Sequence, residues 1–231
     1  MTDRYLRNER MLSPDENRSL RSRRVAVVGC GGLGGYIIEM LARLGIGHLS
    51  LFDGDVFEES NLNRQLLSLP SVLGKPKALI AAERVKQVNP DVITRAQKVF
   101  LDTANATELL EGHDLVMDAL DNIDTRFCLQ QSCEKLQIPM IFGAIAGWYA
   151  QVCTVFPGDR TLDLLYPPGV NKTEETLLGN PSFSPALAAS LQVAEALKVL
   201  LGRGELLRHR ILFADTLTHQ YSIIPLRHDT L

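Results

Sequence analysis

Cysteine is scarce in this chain of 231 residues: there are four, at positions 30, 128, 133 and 153, and no Cys-x-x-Cys pair. That count and spacing argue against a disulfide framework and against a zinc site built from paired cysteines, so no zinc is expected. Cys128 and Cys133 fall about 140° apart around a predicted helix, which does not pair them either. No apolar run reaches the roughly 20 residues of a membrane span. No Lys/Arg tract occurs and the net charge is −3, so neither a nucleic-acid nor a membrane partner is expected. The opening MTDRYLRNER is too polar for a signal peptide. Repeats and low-complexity segments are missing. What remains is an ordinary globular balance, 45% hydrophobic and 22% charged, in a length that suits one domain. These features predict a soluble cytoplasmic protein.

The chain then reads as alternating strands and helices. Ser13-Pro14-Asp15-Glu16 has the form of a capping box that opens a short helix. Strands are predicted at Arg24–Val28, His48–Asp53, Val92–Val99, over DLVMDAL and over PMIFGAI. Helices are predicted at Gly32–Leu44 with Gly45 as the stop, near Pro76–Val88 before Asn89-Pro90, over ANATELLEGH and at Asp124–Gln137. This order means βαβ units and a parallel sheet. After Gly147 the texture changes. QVCTVFPG reads as a strand, and Asp159–Ser184 is a long polar connection with prolines. Ser184 is expected to cap a helix over Pro185–Leu201. The chain closes with two strands around a turn in HRILFADTLTHQYSIIPL. The expected fold is α/β, a Rossmann-like, mostly parallel sheet flanked by helices and extended by C-terminal antiparallel strands. One domain of 1–231 is expected, with an N-terminal helical arm over 1–22. A nucleotide-binding half follows over 23–147, then a partner-binding, antiparallel extension over 148–231.

Chemistry gathers around RVAVVGCGGLGGY. Gly29, Gly31 and Gly34 fit G-x-G-x-x-G between a strand and a helix, where small residues and free helix N–H groups accommodate a phosphate. Asp53 follows Gly34 by 19 residues and stands where an acid binds ribose hydroxyls. To this point a nicotinamide dinucleotide fits as well as ATP. Three further features favour ATP consumed as a reagent. Arg64, in SNLNRQ, offers a permanent forked charge. Lys77, in GKPKA, falls on the first turn of a helix, where a cation opposes the dipole unless an anion sits there. Asp118 and Asp121, in DALDN, follow a strand at its carboxyl end, and Asp121 suits Mg²⁺, which takes one or two carboxylates plus phosphate oxygens.

In combination RYLRN, VVGCGGLG, LFDGDVFEESNLNRQ, GKPKA, VNPD, DALDN and SLQVAEALKVLLG resemble the ubiquitin-activating-enzyme family in its bacterial form (the HesA/MoeB/ThiF adenylyltransferases of sulfur-carrier proteins). The resemblance spans nearly the whole chain. It implies that ATP adenylates the C-terminal glycine carboxylate of a ubiquitin-like carrier of ThiS or MoaD type, with release of pyrophosphate. It implies Gly32 against the nucleotide, with Gly29, Gly31 and Gly34 shaping the turn, and Asp53 on the ribose. Asn61, Arg64 and Lys77 are implied at the phosphates, and Asp121 at Mg²⁺ with Asn122 beside it. Asp55 has a supporting role. Arg7 is implied to reach the ATP of a partner subunit, hence a homodimer. The chain departs from most bacterial relatives in having no Cys-x-x-Cys pairs, and Pro157–Ser184 contains no cysteine for a covalent carrier intermediate. Two rivals keep much of this site: activation of a carboxylate on a modified tRNA adenosine, and carrier binding without catalysis.

Overall fold

The structure is a computed structural model and describes residues 3–166 and 178–226. Its strands are β1 (Arg24–Val28), β2 (His48–Phe52), β3 (Ile93–Gln97), β4 (Leu115–Asp118), β5 (Met140–Ala146), β6 (Tyr149–Val155), β7 (Arg210–Asp215) and β8 (Gln220–Pro225). They form one sheet in the order β3-β2-β1-β4-β5-β6-β7-β8. Pairing is parallel from β3 through β5 and antiparallel from β5 to β8. The parallel strands β1, β2 and β4 are runs of buried residues, as strands covered on both faces must be.

Helices α1 (Pro14–Leu20), α2 (Gly32–Leu44), α3 (Lys77–Val88), α4 (Ala106–Leu110), α5 (Ile123–Leu136), α6 (Thr161–Leu165) and α7 (Phe183–Leu201) cover the sheet. The capping box of α1 forms: the Ser13 hydroxyl accepts from the Glu16 N–H, and the Glu16 carboxylate accepts from the Ser13 N–H. Gly45 ends α2 at φ +83°, a conformation that favours glycine. The expected fold is the one observed. Two details differ. The long connection after β6 contains the short helix α6, and positions 167–177 lie outside the described residues. The last long helix starts at Phe183 with Ser182 at its N-cap. Ser184 is not the cap, because its buried hydroxyl donates to the Gly147 carbonyl in the β5–β6 turn.

By length and hydropathy α7 is apolar enough to cross a membrane, which corrects the expectation that no run reaches that length. In the fold it packs on α2, β5 and β6. Its polar residues are used inside the core. Gln192 Nε2 donates to the carbonyls of Asp118 at 2.8 Å and Ile141 at 3.2 Å. Glu195 accepts from Thr154 Oγ1 at 2.7 Å and from the Leu207 N–H at 2.9 Å. These bonds tie α7 to the strand ends behind the site.

Candidate functional site

Register sets the position of the site. Val28 pairs with Phe52 on β2 and with Asp118 on β4, so three carboxyl ends stop in line. The chain leaves β1 toward β2 and returns at β4 on the other side. Such a switch point is where open α/β sheets bind ligands. A cavity of about 380 Å³ opens there.

The glycines divide the work. Gly29 has φ +96°, and a Cβ on it would stand 2.4 Å from the Ala119 carbonyl oxygen. A Cβ on Gly34 would stand 1.9 Å from the Gly29 oxygen. These two serve the close approach of β1, β4 and α2, and Gly34 does not line the cavity. Gly31 and Gly32 do line it. The first N–H groups of α2 lack helical partners there, which makes an anion seat.

Asp53 follows β2. Its Oδ2 accepts from the Cys30 N–H at 2.6 Å and its Oδ1 from the Asp55 N–H at 2.8 Å. Burial raises its pKa, and the two amide bonds oppose that shift. Lys77 is the first residue of α3, and its Nζ reaches Asp55 Oδ2 at 3.0 Å. The lysine side chain is 9% exposed and the aspartate 55%. Asp55 therefore holds the ammonium at the cavity wall while itself remaining open to solvent. Arg64 Nη1 donates to the Ser60 carbonyl at 2.9 Å and to Asn63 Oδ1 at 3.0 Å, and no carboxylate pairs with it among the described residues. Asp121 is exposed at the mouth, with no hydrogen bond or ion pair among the described residues. Asn122 caps α5, its side chain accepting from the Thr125 N–H at 2.8 Å.

The loop with Asp121 is held from behind. Asp118 Oδ1 accepts from the Leu120 N–H at 3.0 Å. Arg126, fully buried on α5, donates through Nη2 to the carbonyls of Leu120 at 2.5 Å and Gly143 at 3.0 Å, and through Nη1 to Tyr166 Oη at 2.6 Å. Its Nε faces Asp118 Oδ2 at 3.5 Å.

Of the predicted residues, Gly29, Gly31, Gly32, Asp53, Asp55, Arg64, Lys77, Asp121 and Asn122 line one cavity. Asn61 does not. It is buried in its own turn, where Oδ1 accepts from the Glu58 N–H at 3.0 Å. Arg7 is exposed and does not line this cavity. The nearby Tyr5 is anchored at the opposite end of α2, its ring against Gly45 and its hydroxyl accepting from Asn89 Nδ2 at 2.8 Å. Gln65, Phe100 and Arg126 went unassigned in the sequence. Gln65 closes the quoted SNLNRQ, but nothing in the sequence shows its side chain turned to the glycine turn. Phe100 is 68% exposed at the rim, and its ring occupies the space where Gly54 has no side chain, 2.5 Å from a would-be Cβ. All four cysteines are buried and none lines the cavity. Burial raises each thiol pKa, that of Cys133 to about 12.

The chain is similar to known proteins over most of its length. The model of the ThiF family matches residues 4–230. The SAMP-activating enzyme E1 of Haloferax volcanii is 38% identical over 231 residues, which covers 97% of this chain and 85% of that protein. The sulfur carrier protein adenylyltransferase of Thermus thermophilus is 36% identical over 236 residues, covering 97% and 87%. The crystal structure of E. coli MccB with ATP superposes with a TM-score of 0.84 at 19% identity, over 100% of this chain and 73% of that one, a likeness of fold. With a family model matched almost end to end and the cavity at the expected switch point, the chain belongs to the ThiF family.

Proposed function

We propose that this chain is a cytoplasmic adenylyltransferase that activates the C-terminal glycine carboxylate of a ubiquitin-like sulfur-carrier protein with ATP. The observation that carries this reading is the convergence of Asp53, Arg64, Lys77 and Asp121, from four separate segments, on one cavity floored by Gly31 and Gly32. The relatives named for carrier activation give the acyl substrate.

Asp53 receives the ribose hydroxyls. The exposed Phe100 ring beside it offers the base an apolar face. The helix start at Gly31 and Gly32 receives phosphate oxygens. Lys77 and Arg64 neutralise the polyphosphate, Lys77 exchanging Asp55 for the ligand. Asp121 suits Mg²⁺, because its carboxylate is exposed and unpaired at the mouth beside the phosphate seat. When bound, the metal supplies charge neutralisation on the polyphosphate. The carboxylate nucleophile needs no deprotonation at neutral pH. Catalysis is therefore positioning and electrostatic stabilisation. With every thiol buried, the acyl adenylate awaits a sulfur nucleophile from another molecule. A tRNA substrate is the weaker reading, since it needs a basic face and the net charge here is −3.

A second copy completes the site. What supports it is the anchoring of Tyr5. Helix α2 has 13 residues, about 20 Å, and its cavity end is the one away from Tyr5. Two residues of backbone from Tyr5 to Arg7 span at most about 7 Å, which keeps the Arg7 main chain near the end of α2 away from its own cavity. An arginine there acts on a partner's ATP, in a two-fold homodimer where the exchange is reciprocal.

The test is ATP–pyrophosphate exchange. It should require Mg²⁺ and a Gly-Gly-terminated carrier, and Lys77→Ala and Asp121→Ala should each lower it by about 10²-fold or more. Wild-type exchange in both variants would remove the basis for these roles.

A further inference from the structure

Gln65 follows Arg64 and lines the same cavity. Its main chain is fixed: the N–H donates to the Asn61 carbonyl at 3.0 Å, and the carbonyl accepts from the Ser68 N–H at 3.0 Å and Oγ at 2.7 Å. The residue is 7% exposed. Even so, its amide makes no hydrogen bond among the described residues, and Oε1 is buried without a donor. Oε1 needs a donor that a phosphate cannot give, whereas Nε2, with no acceptor among the described residues, is free to donate to a ligand in the cavity. Nε2 is the side-chain atom nearest the glycine turn, 3.4 Å from where a Cβ on Gly31 would stand.

The order of groups along the cavity says which part of the ligand lies there. Asp53, at the ribose position, accepts from the N–H of Cys30, the residue before Gly31. The phosphate joined directly to the ribose is the α-phosphate, so it falls at Gly31 and Gly32. Lys77 and Arg64 are left for the outer phosphates. Phosphate and carboxylate oxygens only accept hydrogen bonds, so Nε2 is the amide atom that can serve them.

We propose that Gln65 is a catalytic residue whose Nε2 donates to a non-bridging oxygen of the α-phosphoryl group; this rests on the adenylation reading. In the step, a carboxylate oxygen of the carrier forms a bond to the α-phosphorus. The bond from that phosphorus to the oxygen bridging to the β-phosphate breaks. Its electron pair leaves on pyrophosphate, and no proton is transferred. Negative charge gathers on the α-phosphoryl oxygens as five bonds crowd the phosphorus. A donor already fixed there stabilises that arrangement more than the ground state. A neutral donor suits the position, because a cation would pair with the incoming carboxylate and hold it back.

Gln65→Met tests this. It keeps the length and bulk that cover Gly31 and removes only the amide. Carrier-dependent exchange should fall about 10²-fold in kcat with the KM for ATP unchanged. A wild-type rate, or a loss confined to KM, overturns the proposal. A second measurement does not depend on the acyl substrate: the phosphorus NMR spectrum of ATP bound to wild type and to Gln65→Met. A selective difference at the α resonance supports the contact, and three coincident resonances overturn it. Absence of exchange in the wild type overturns the adenylation reading, while the spectra still decide whether Gln65 touches the α-phosphate.

Discussion

Asp118 shows how a residue outside the cavity shapes it. Its carboxyl is fully buried at the end of β4, and burial lifts its pKa to about 6 while Arg126 pulls it down. An unfolded aspartate titrates near 3.9. Between about pH 4 and 6 the folded chain therefore keeps a proton that the unfolded chain has released. Stability contributed by this group falls as pH rises through that window. Glu39 and Asp159 behave oppositely. Burial would raise their pKa values, but hydrogen bonds from Arg84 and Arg43 to Glu39, and from Arg208 to Asp159, leave both lowered. Their contribution is lost as pH falls through those depressed values. The two effects separate in a comparison of wild type with Asp118→Asn by urea unfolding from pH 4 to 7. The variant should gain on wild type by about 2 kcal/mol between pH 4 and 6. A difference that stays constant with pH would contradict the assignment.

At the level of elements, what was legible in the sequence was local or periodic. The α1 box works because Ser13 and Glu16 are three residues apart and need nothing else. The glycine turn was legible because a buried strand leads into it and a helical pattern leads out. Lys77 stood out as a cation on a helix start. Illegible features depend on contacts between distant segments. Ser184 has the composition of a cap, but Gly147, 37 residues away, takes its hydroxyl. Asn61 and Gln65 sit in one short motif, and only packing decides that the first turns inward and the second toward Gly31. Arg126 is one charge on α5 in the sequence. In the fold it joins the Leu120 carbonyl, β5 and Tyr166 behind Asp121. The apolar stretch of α7 required the third dimension too, since its buried Gln192 and Glu195 are core ties to the sheet and to the chain beside it.

The molecule as a whole has its candidate site at one end of the α2 and α3 helices and its N-terminal arm at the other. That separation makes the two-copy site a prediction about assembly. An Arg7→Ala chain and an Asp121→Ala chain should each be inactive alone. After subunit exchange, half of the dimers are mixed and each has one intact site, so about a quarter of wild-type activity should return. Mixed dimers, seen by mass, with no activity would contradict action in trans: Arg7 then acts in cis or does not act on ATP at all. Activation of a carrier's terminal carboxylate at this cavity is measured more directly on the carrier itself. The chain is incubated with ATP, Mg²⁺, inorganic pyrophosphatase and a Gly-Gly-terminated carrier, and the intact mass of the carrier is recorded. The carrier should become heavier by one adenylyl group, with no such species when the terminal glycine is removed or when Lys77→Ala replaces the wild-type chain. A carrier of unchanged mass, with the adenylyl group appearing on another acceptor, would contradict carrier activation.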